Sequence, residues 1–157
     1  GSPLWSIIQT GVDWRGRTYA NTLFFNGGMG ALPSKPGESC YSWPSNISNV
    51  PVELVERNTP LFVHAKSLRQ GSGGAGLYPG GEGQEITFES ESDTPIGIIF
   101  MAERLKHPAK GLEGGGDGAR GEVLIDGAAA DVRADHTLSR GQTITLRTPG
   151  GGGYGKA

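Results

Sequence analysis

Glycine constrains this chain more than any other residue. There are 28 among 157 residues, about 18% where roughly 7% is usual. They gather at positions 27–30, 71–83, 111–121 and 150–155. With the 10 prolines they approach the share, about a quarter of the chain, that marks disordered sequences. The clumping argues against disorder, because strand-like runs lie between the clumps. Glycine at this density acts as punctuation between ordered segments, not as low complexity.

Those runs are "LWSIIQ" (4–9), "RTYANTLFF" (17–25), "LFVHAKSL" (61–68), "QEITFES" (84–90), "PIGIIFMAE" (95–103), "GEVLID" (121–126) and "QTITLRT" (142–148). In the third, Leu61, Val63 and Ala65 share one face, and Phe62, His64 and Lys66 the other. In the last, Ile144 and Leu146 alternate with Thr143, Thr145 and Arg147, the pattern of a sheet wet on one side. "IGIIF" is apolar without a break, which predicts a strand covered on both faces. One helix is expected over "NVPVELVERN" (49–58), capped by Asn49, with Pro51 in the first turn and Val50, Leu54 and Val55 on one side. Its shortness leaves a turn or an irregular strand as the alternative. Short strands, glycine-rich turns and little helix predict a mainly β fold, a glycine-rich β-sandwich or an open barrel with one or two short helices. No internal repeat of fixed period points to a propeller or a solenoid.

A chain of this length amounts to one domain, large enough to bury about two-thirds of its unfolded surface. Its 14 basic and 16 acidic residues leave a net charge of -2 with no run of either sign. That gives no electrostatic footprint for nucleic acid and no basic patch for anionic lipid. No stretch reaches the ~18 apolar residues of a membrane span, and no signal peptide opens the chain. The single cysteine, Cys40, has no partner for an internal disulfide, so a cytoplasmic setting is expected. Gly1-Ser2 reads as the remnant of a cleaved expression tag, which makes the chain a piece cut from something longer.

Two glycine patterns imitate nucleotide sites. Gly150 to Lys156 fits the first seven positions of a phosphate-binding loop. Such a loop needs a Ser or Thr hydroxyl for magnesium and a helix beyond it. Ala157 stands at the hydroxyl position and the chain stops. "GSGGAG" (71–76) matches the dinucleotide fingerprint but is followed by Pro79, more glycines and a β-like run, so a wide connection between strands is expected. His64, His107 and His136 lie far apart, with no metal-ligand spacing. Cys40 lacks the surroundings of a nucleophile and is expected to be a structural thiol. "NIS" (46–48) fits a glycosylation sequon, without meaning in a cytoplasmic protein. Glu53, Glu56 and Asp117 are expected to be solvated charges. Arg69, closing a strand beside "GSGGAG", is the candidate for contact with a substrate or anion, since a glycine-rich turn leaves backbone donors open. An arginine in that position more often pairs with a carboxylate or points into water.

Five stretches occur in a specific order: "NTLFFNGGMGA" (21–31), "SNISNVPVELVE" (45–56), "LRQGSGGAGLYPGGEGQE" (68–85), "GLEGGGDGARGE" (111–122) and "TPGGGGYG" (148–155). Together they resemble the C-terminal part of the hydantoinase B/oxoprolinase family, along essentially the whole chain. "CYSWPSNISN" (40–49) is similar to N-methylhydantoinase-type B subunits more than to 5-oxoprolinases. The resemblance implies one domain, residues 1–157, taken from the last quarter to third of a B-type subunit. It implies a parent enzyme that opens cyclic amides such as hydantoins or 5-oxoproline with ATP and magnesium. It also implies two partners: the N-terminal portion of the same subunit, which carries the family's metal-binding His and acidic residues, and an A-type subunit that uses ATP. On that basis no cofactor, metal or catalytic residue is expected on this chain. The alternative is a structural module of an acetone- or acetophenone-carboxylase-like complex. For the closing "TPGGGGYG" the expectation is a backbone run lying close against other backbone, with Tyr154 as its anchor.

Overall fold

The computed structural model of the protein describes residues 2–13 and 15–156. Its elements, in chain order, are β1 (Leu4–Val12), β2 (Thr18–Asn26), α1 (Val52–Asn58), β3 (Leu61–Leu68), β4 (Gln84–Ser90), β5 (Ile96–Met101), β6 (Glu122–Ile125), β7 (Ala128–Ala129), β8 (His136–Leu138) and β9 (Thr143–Arg147). They form two antiparallel sheets, β2-β1-β5-β8 and β3-β4-β9-β6-β7. One apolar core lies between them, and the sheets do not close on each other. Of the two expected architectures, the sandwich is the one adopted.

The core follows from period-2 alternation. From the first sheet come Trp5, Ile7, Leu23, Phe25, Ile96, Ile98, Phe100 and Leu138; from the second come Leu61, Val63, Ile86, Phe88, Val123, Ile144 and Leu146. Phe25 meets Phe88 edge to face at 5.7 Å, joining β2 to β4 across the layers. Such a pair adds about 0.5–1.5 kcal/mol beyond the area it buries. Ile144 and Leu146 are buried while Thr143, Thr145 and Arg147 stay partly wet, as the sequence predicts.

Several expectations are corrected. In β3 the alternation stops after Val63, because a bulge between Val63 and Ala65 shifts the register and leaves Ala65 exposed. In β5 only Ile96, Ile98 and Phe100 are buried; Ile99 and Met101 lie 44% and 59% exposed on the outer face. That strand is covered on one side only. The helix starts later than expected, with Pro51 at its N-cap and no side-chain cap. The Asn49 side chain is taken by Gln84, whose Nε2 donates to Asn49 Oδ1 at 3.2 Å. Within α1 only Val55 is buried, and Leu54 faces water. The run at 121–126 becomes β6 and turns at Asp126-Gly127, both at positive φ, into β7. This is the two-residue hairpin geometry that Asp-Gly favours. The polar stretch around His136 supplies β8, which pairs with β5.

Candidate functional site

The glycine clumps come together beside the sandwich. The run 149–155 is surrounded by segments 28–31, 74–81 and 111–119, and its hydrogen bonds fan out with a three-residue repeat. The N–H groups of Gly150 and Gly153 donate to Ala119 and Gly116, and those of Gly151 and Tyr154 to Gly81 and Tyr78. The carbonyls of Pro149 and Gly152 accept from Gly28 and Ala31. An extended chain with three residues per turn and no internal bonds presents its polar groups to successive neighbours in this way. The spacing leaves no room for side chains. A Cβ on Gly151 would lie 2.0 Å from the Met29 carbonyl oxygen, on Gly150 1.8 Å from that of Ser72, and on Gly74 2.1 Å from that of Gly116. The close backbone run expected of "TPGGGGYG" is present, and Tyr154 and Tyr78 exchange both backbone bonds.

Where this bundle meets the loops after β2 and β5, a cleft of about 780 Å³ opens. Gly30, Gly152 and Ala31 form part of its lining, with Tyr41 and Trp43 as aromatic wall, and Lys35, Arg104 and Lys110 bring cationic side chains to it. Its volume is in the range of small-molecule pockets. Arg104 is held with φ +58°, a conformation unusual for a side-chain-bearing residue. The loop around it is pinned: Trp5 Nε1 donates to the Glu103 carbonyl at 3.1 Å, and the Gly121 N–H to the Arg104 carbonyl at 3.1 Å. Lys110 Nζ lies 2.6 Å from Asp117 Oδ2, and Lys35 Nζ 3.4 Å from Glu38 Oε1. Bonds from Lys110 and from the Gly111 N–H hold the Asp117 carboxyl below its usual range.

The predicted residues fall elsewhere. Arg69 follows the end of β3 and acts as a clasp to the start of β6: its guanidinium donates to the Arg120 carbonyl at 2.6 Å and to Glu122 Oε1 at 3.2 Å. Glu122 also receives Arg147, which in turn bonds Glu85. Three donors of the turn beside Arg69 are engaged as well, Gly71 with Glu82 Oε1, Ser72 with the Arg69 carbonyl and Gly74 with the Gly151 carbonyl. The three histidines stay apart. His64 on β3 pairs with Glu89, His136 on β8 bonds the Asp131 carbonyl at 2.8 Å, and His107 lies in an exposed loop. Among the described residues, no three His, Cys, Asp or Glu side chains gather as metal ligands. Cys40 is half-buried, its Sγ 3.8 Å from the Glu82 carbonyl, and burial pushes its pKa up to about 11. Glu56 accepts the Val63 N–H at 3.0 Å. "GSGGAG" opens no helix, and "GGGGYGK" spends its backbone donors inside the bundle at Gly150, Gly151, Gly153, Tyr154 and Gly155. Ala157 and Gly1 lie outside the described residues. The cleft itself was not legible in the sequence, since Lys35, Arg104 and Lys110 come from segments with no shared spacing.

Comparison with known proteins accounts for the chain as a whole. The family model for hydantoinase B/oxoprolinase matches residues 2–157. The 5-oxoprolinase PfmaA of Pestalotiopsis fici is 33% identical over 159 residues, covering 94% of this chain and 12% of that protein. The fold recurs in the crystal structure of the ATP-dependent caprolactamase from Pseudomonas jessenii, with TM-score 0.76 and 21% identity over 99% of this chain and 30% of that one. It recurs also in nucleotide-free acetone carboxylase, with TM-score 0.72 and 19% identity over 98% of this chain and 25% of that one. The chain thus spans a small part of each of these proteins. A glycine bundle fused to a β-sandwich, matched from residue 2 onward by one family model, identifies the chain as a member of the hydantoinase B/oxoprolinase family.

Proposed function

We propose that this chain is the C-terminal supporting domain of a B-type subunit in an ATP-dependent cyclic-amide hydrolase that opens hydantoins or 5-oxoproline. The observation that carries the reading is the 33% identity to a 5-oxoprolinase along 94% of this chain. An amide is a poor electrophile. Phosphorylating its oxygen, a step that falls to an A-type partner with ATP and magnesium, creates a leaving group that water can displace. The divalent metal is assigned to the N-terminal portion of the subunit, because the histidines of this chain lie on separate elements. A cytoplasmic location belongs to the same proposal; no described helix is long and apolar enough to cross a membrane.

The domain's part in such an enzyme is mechanical. Ile8, Phe24, Ile99 and Met101 share the outer face of the first sheet, in register across β2, β1 and β5. No described element packs on that face, and we assign it to the N-terminal portion of the same subunit. Arg69 enters the reading as a clasp, and an anion reaching it would have to share it with Glu122.

The test is a subunit that carries this domain, assayed with its A-type partner for ATP-dependent opening of 5-oxoproline and N-methylhydantoin, with acetone plus bicarbonate as a separate arm. Ring opening with stoichiometric phosphate release is expected, and this chain alone should turn over none of the substrates. Carboxylation of acetone without opening of any ring would replace this reading with the carboxylase one.

A further inference from the structure

We infer that the cleft between the glycine bundle and the loops after β2 and β5 binds a small organic oxyanion, a carboxylate or phosphate carried on a compact apolar body. Of the three cations at the cleft, Arg104 is the one without a counter-charge among the described residues. Lys35 and Lys110 each already hold a carboxylate, Glu38 and Asp117. The Arg104 guanidinium has no protein partner among the described residues, although the side chain is partly buried. Its left-handed backbone is one that side-chain-bearing residues rarely adopt, and it is fixed by bonds to the Glu103 carbonyl and to its own. A planar fork of donors on a fixed backbone, without an acceptor, suits the paired oxygens of a carboxylate or phosphate.

The backbone offers a second, independent observation. Gly30 and Gly152 both line the cleft, and neither N–H donates to a protein acceptor among the described residues, unlike Met29, Ala31, Gly151 and Gly153 around them. Gly30 also differs from its bundle neighbours in what excludes a side chain. A Cβ there would meet nothing nearer than the Gly152 carbonyl oxygen at 3.7 Å, ordinary contact, whereas at Gly28 or Gly151 it would strike backbone within 2.0 Å. Packing does not require glycine at 30. An open cleft does.

The remaining lining fixes the kind of ligand. Tyr41 and Trp43 lie 46% and 57% exposed, a wall suited to an apolar body. A neutral ligand would leave Arg104 without a counter-charge, and a nucleic-acid backbone would need a basic tract that a chain of net charge -2 does not offer. This inference stands whichever ring the parent enzyme opens, so ring-opening assays and the binding test fail independently.

The experiment titrates the 15N-labelled chain with inorganic phosphate, 5-oxoproline and the neutral 2-pyrrolidinone at constant ionic strength. Saturable shifts at the Gly30 and Gly152 amides and the Arg104 Nε–H are expected with phosphate or 5-oxoproline, and binding at least tenfold weaker with 2-pyrrolidinone. Whichever anion saturates first names the source of the oxyanion. Arg104→Gln should weaken it tenfold or more, and Gly30→Ala should weaken it with the melting temperature unchanged. Equal binding of 2-pyrrolidinone, no saturation with either anion, or wild-type affinity in Gly30→Ala would overturn the assignment. Gly30→Ala keeps the test decisive if Arg104→Gln does not fold.

Discussion

At the scale of single residues, the glycines divide by what surrounds them. Gly151 faces backbone, and a methyl placed there would sit 2.0 Å from the Met29 carbonyl oxygen. Gly71 has φ +73° and open space around it. Gly151→Ala is therefore expected to cost at least about 4 kcal/mol, in the range reserved for forced core rearrangement. Gly71→Ala should cost only about 1–2 kcal/mol, the strain of a left-handed alanine. Urea midpoints of the two variants check this, and equal midpoints would contradict it. Cys40 gives a second residue-scale prediction. Burial raises its pKa from 9.0 to about 11, so at pH 8 roughly one molecule in a thousand carries the reactive thiolate. Alkylation by iodoacetamide should be slow at pH 8 in the folded chain, much faster in urea, and should climb steadily to about pH 11. The folded state holds this proton more tightly than the unfolded state does. The resulting stability is fully present below about pH 9 and falls away as pH rises towards 11.

At the scale of elements, the junctions matter more than the strands. β9 passes into the glycine run at Thr148, which is wholly buried. Its Oγ1 accepts the Gln84 N–H at 2.7 Å and donates to the Asn26 carbonyl at 3.0 Å, joining the ends of β4 and β2. Thr148→Val keeps the shape and strands the Gln84 N–H, so a loss of about 1–3 kcal/mol is expected in chemical denaturation. A neutral result would mean that water replaces the hydroxyl. Alternation made strands such as β4 and β9 legible in the sequence, because each buries one face in a common core. It failed where another force set the pattern. A bulge broke the phase of β3 after Val63. The unbroken apolar run of β5 reflected a second face left bare by this chain, and periodicity alone cannot report what covers it. β8 was too short and polar to register, and takes its strand form from pairing with β5. The Asp126-Gly127 turn lay at the end of the run 121–126, where the expected strand already stopped. The cleft was invisible for a different reason: its cations are neighbours only after the glycine segments have folded together.

At the scale of the whole molecule, two kinds of interior sit side by side, an apolar one between the sheets and one built almost wholly of peptide groups. Unfolding exposes both, and water responds to them with opposite sign. Newly wetted apolar surface raises the heat capacity, by about 0.45 cal/mol/K per Å², while newly wetted amide lowers it by about 0.26. The increment on unfolding should thus fall below the ordinary range of about 12–15 cal/mol/K per residue, and scanning calorimetry measures it directly; a value at or above that range would contradict the expectation. A smaller increment flattens the curve of stability against temperature. The bundle of glycine backbones thereby makes this domain's hold on its fold less sensitive to cooling and warming than an all-apolar interior of the same size would be.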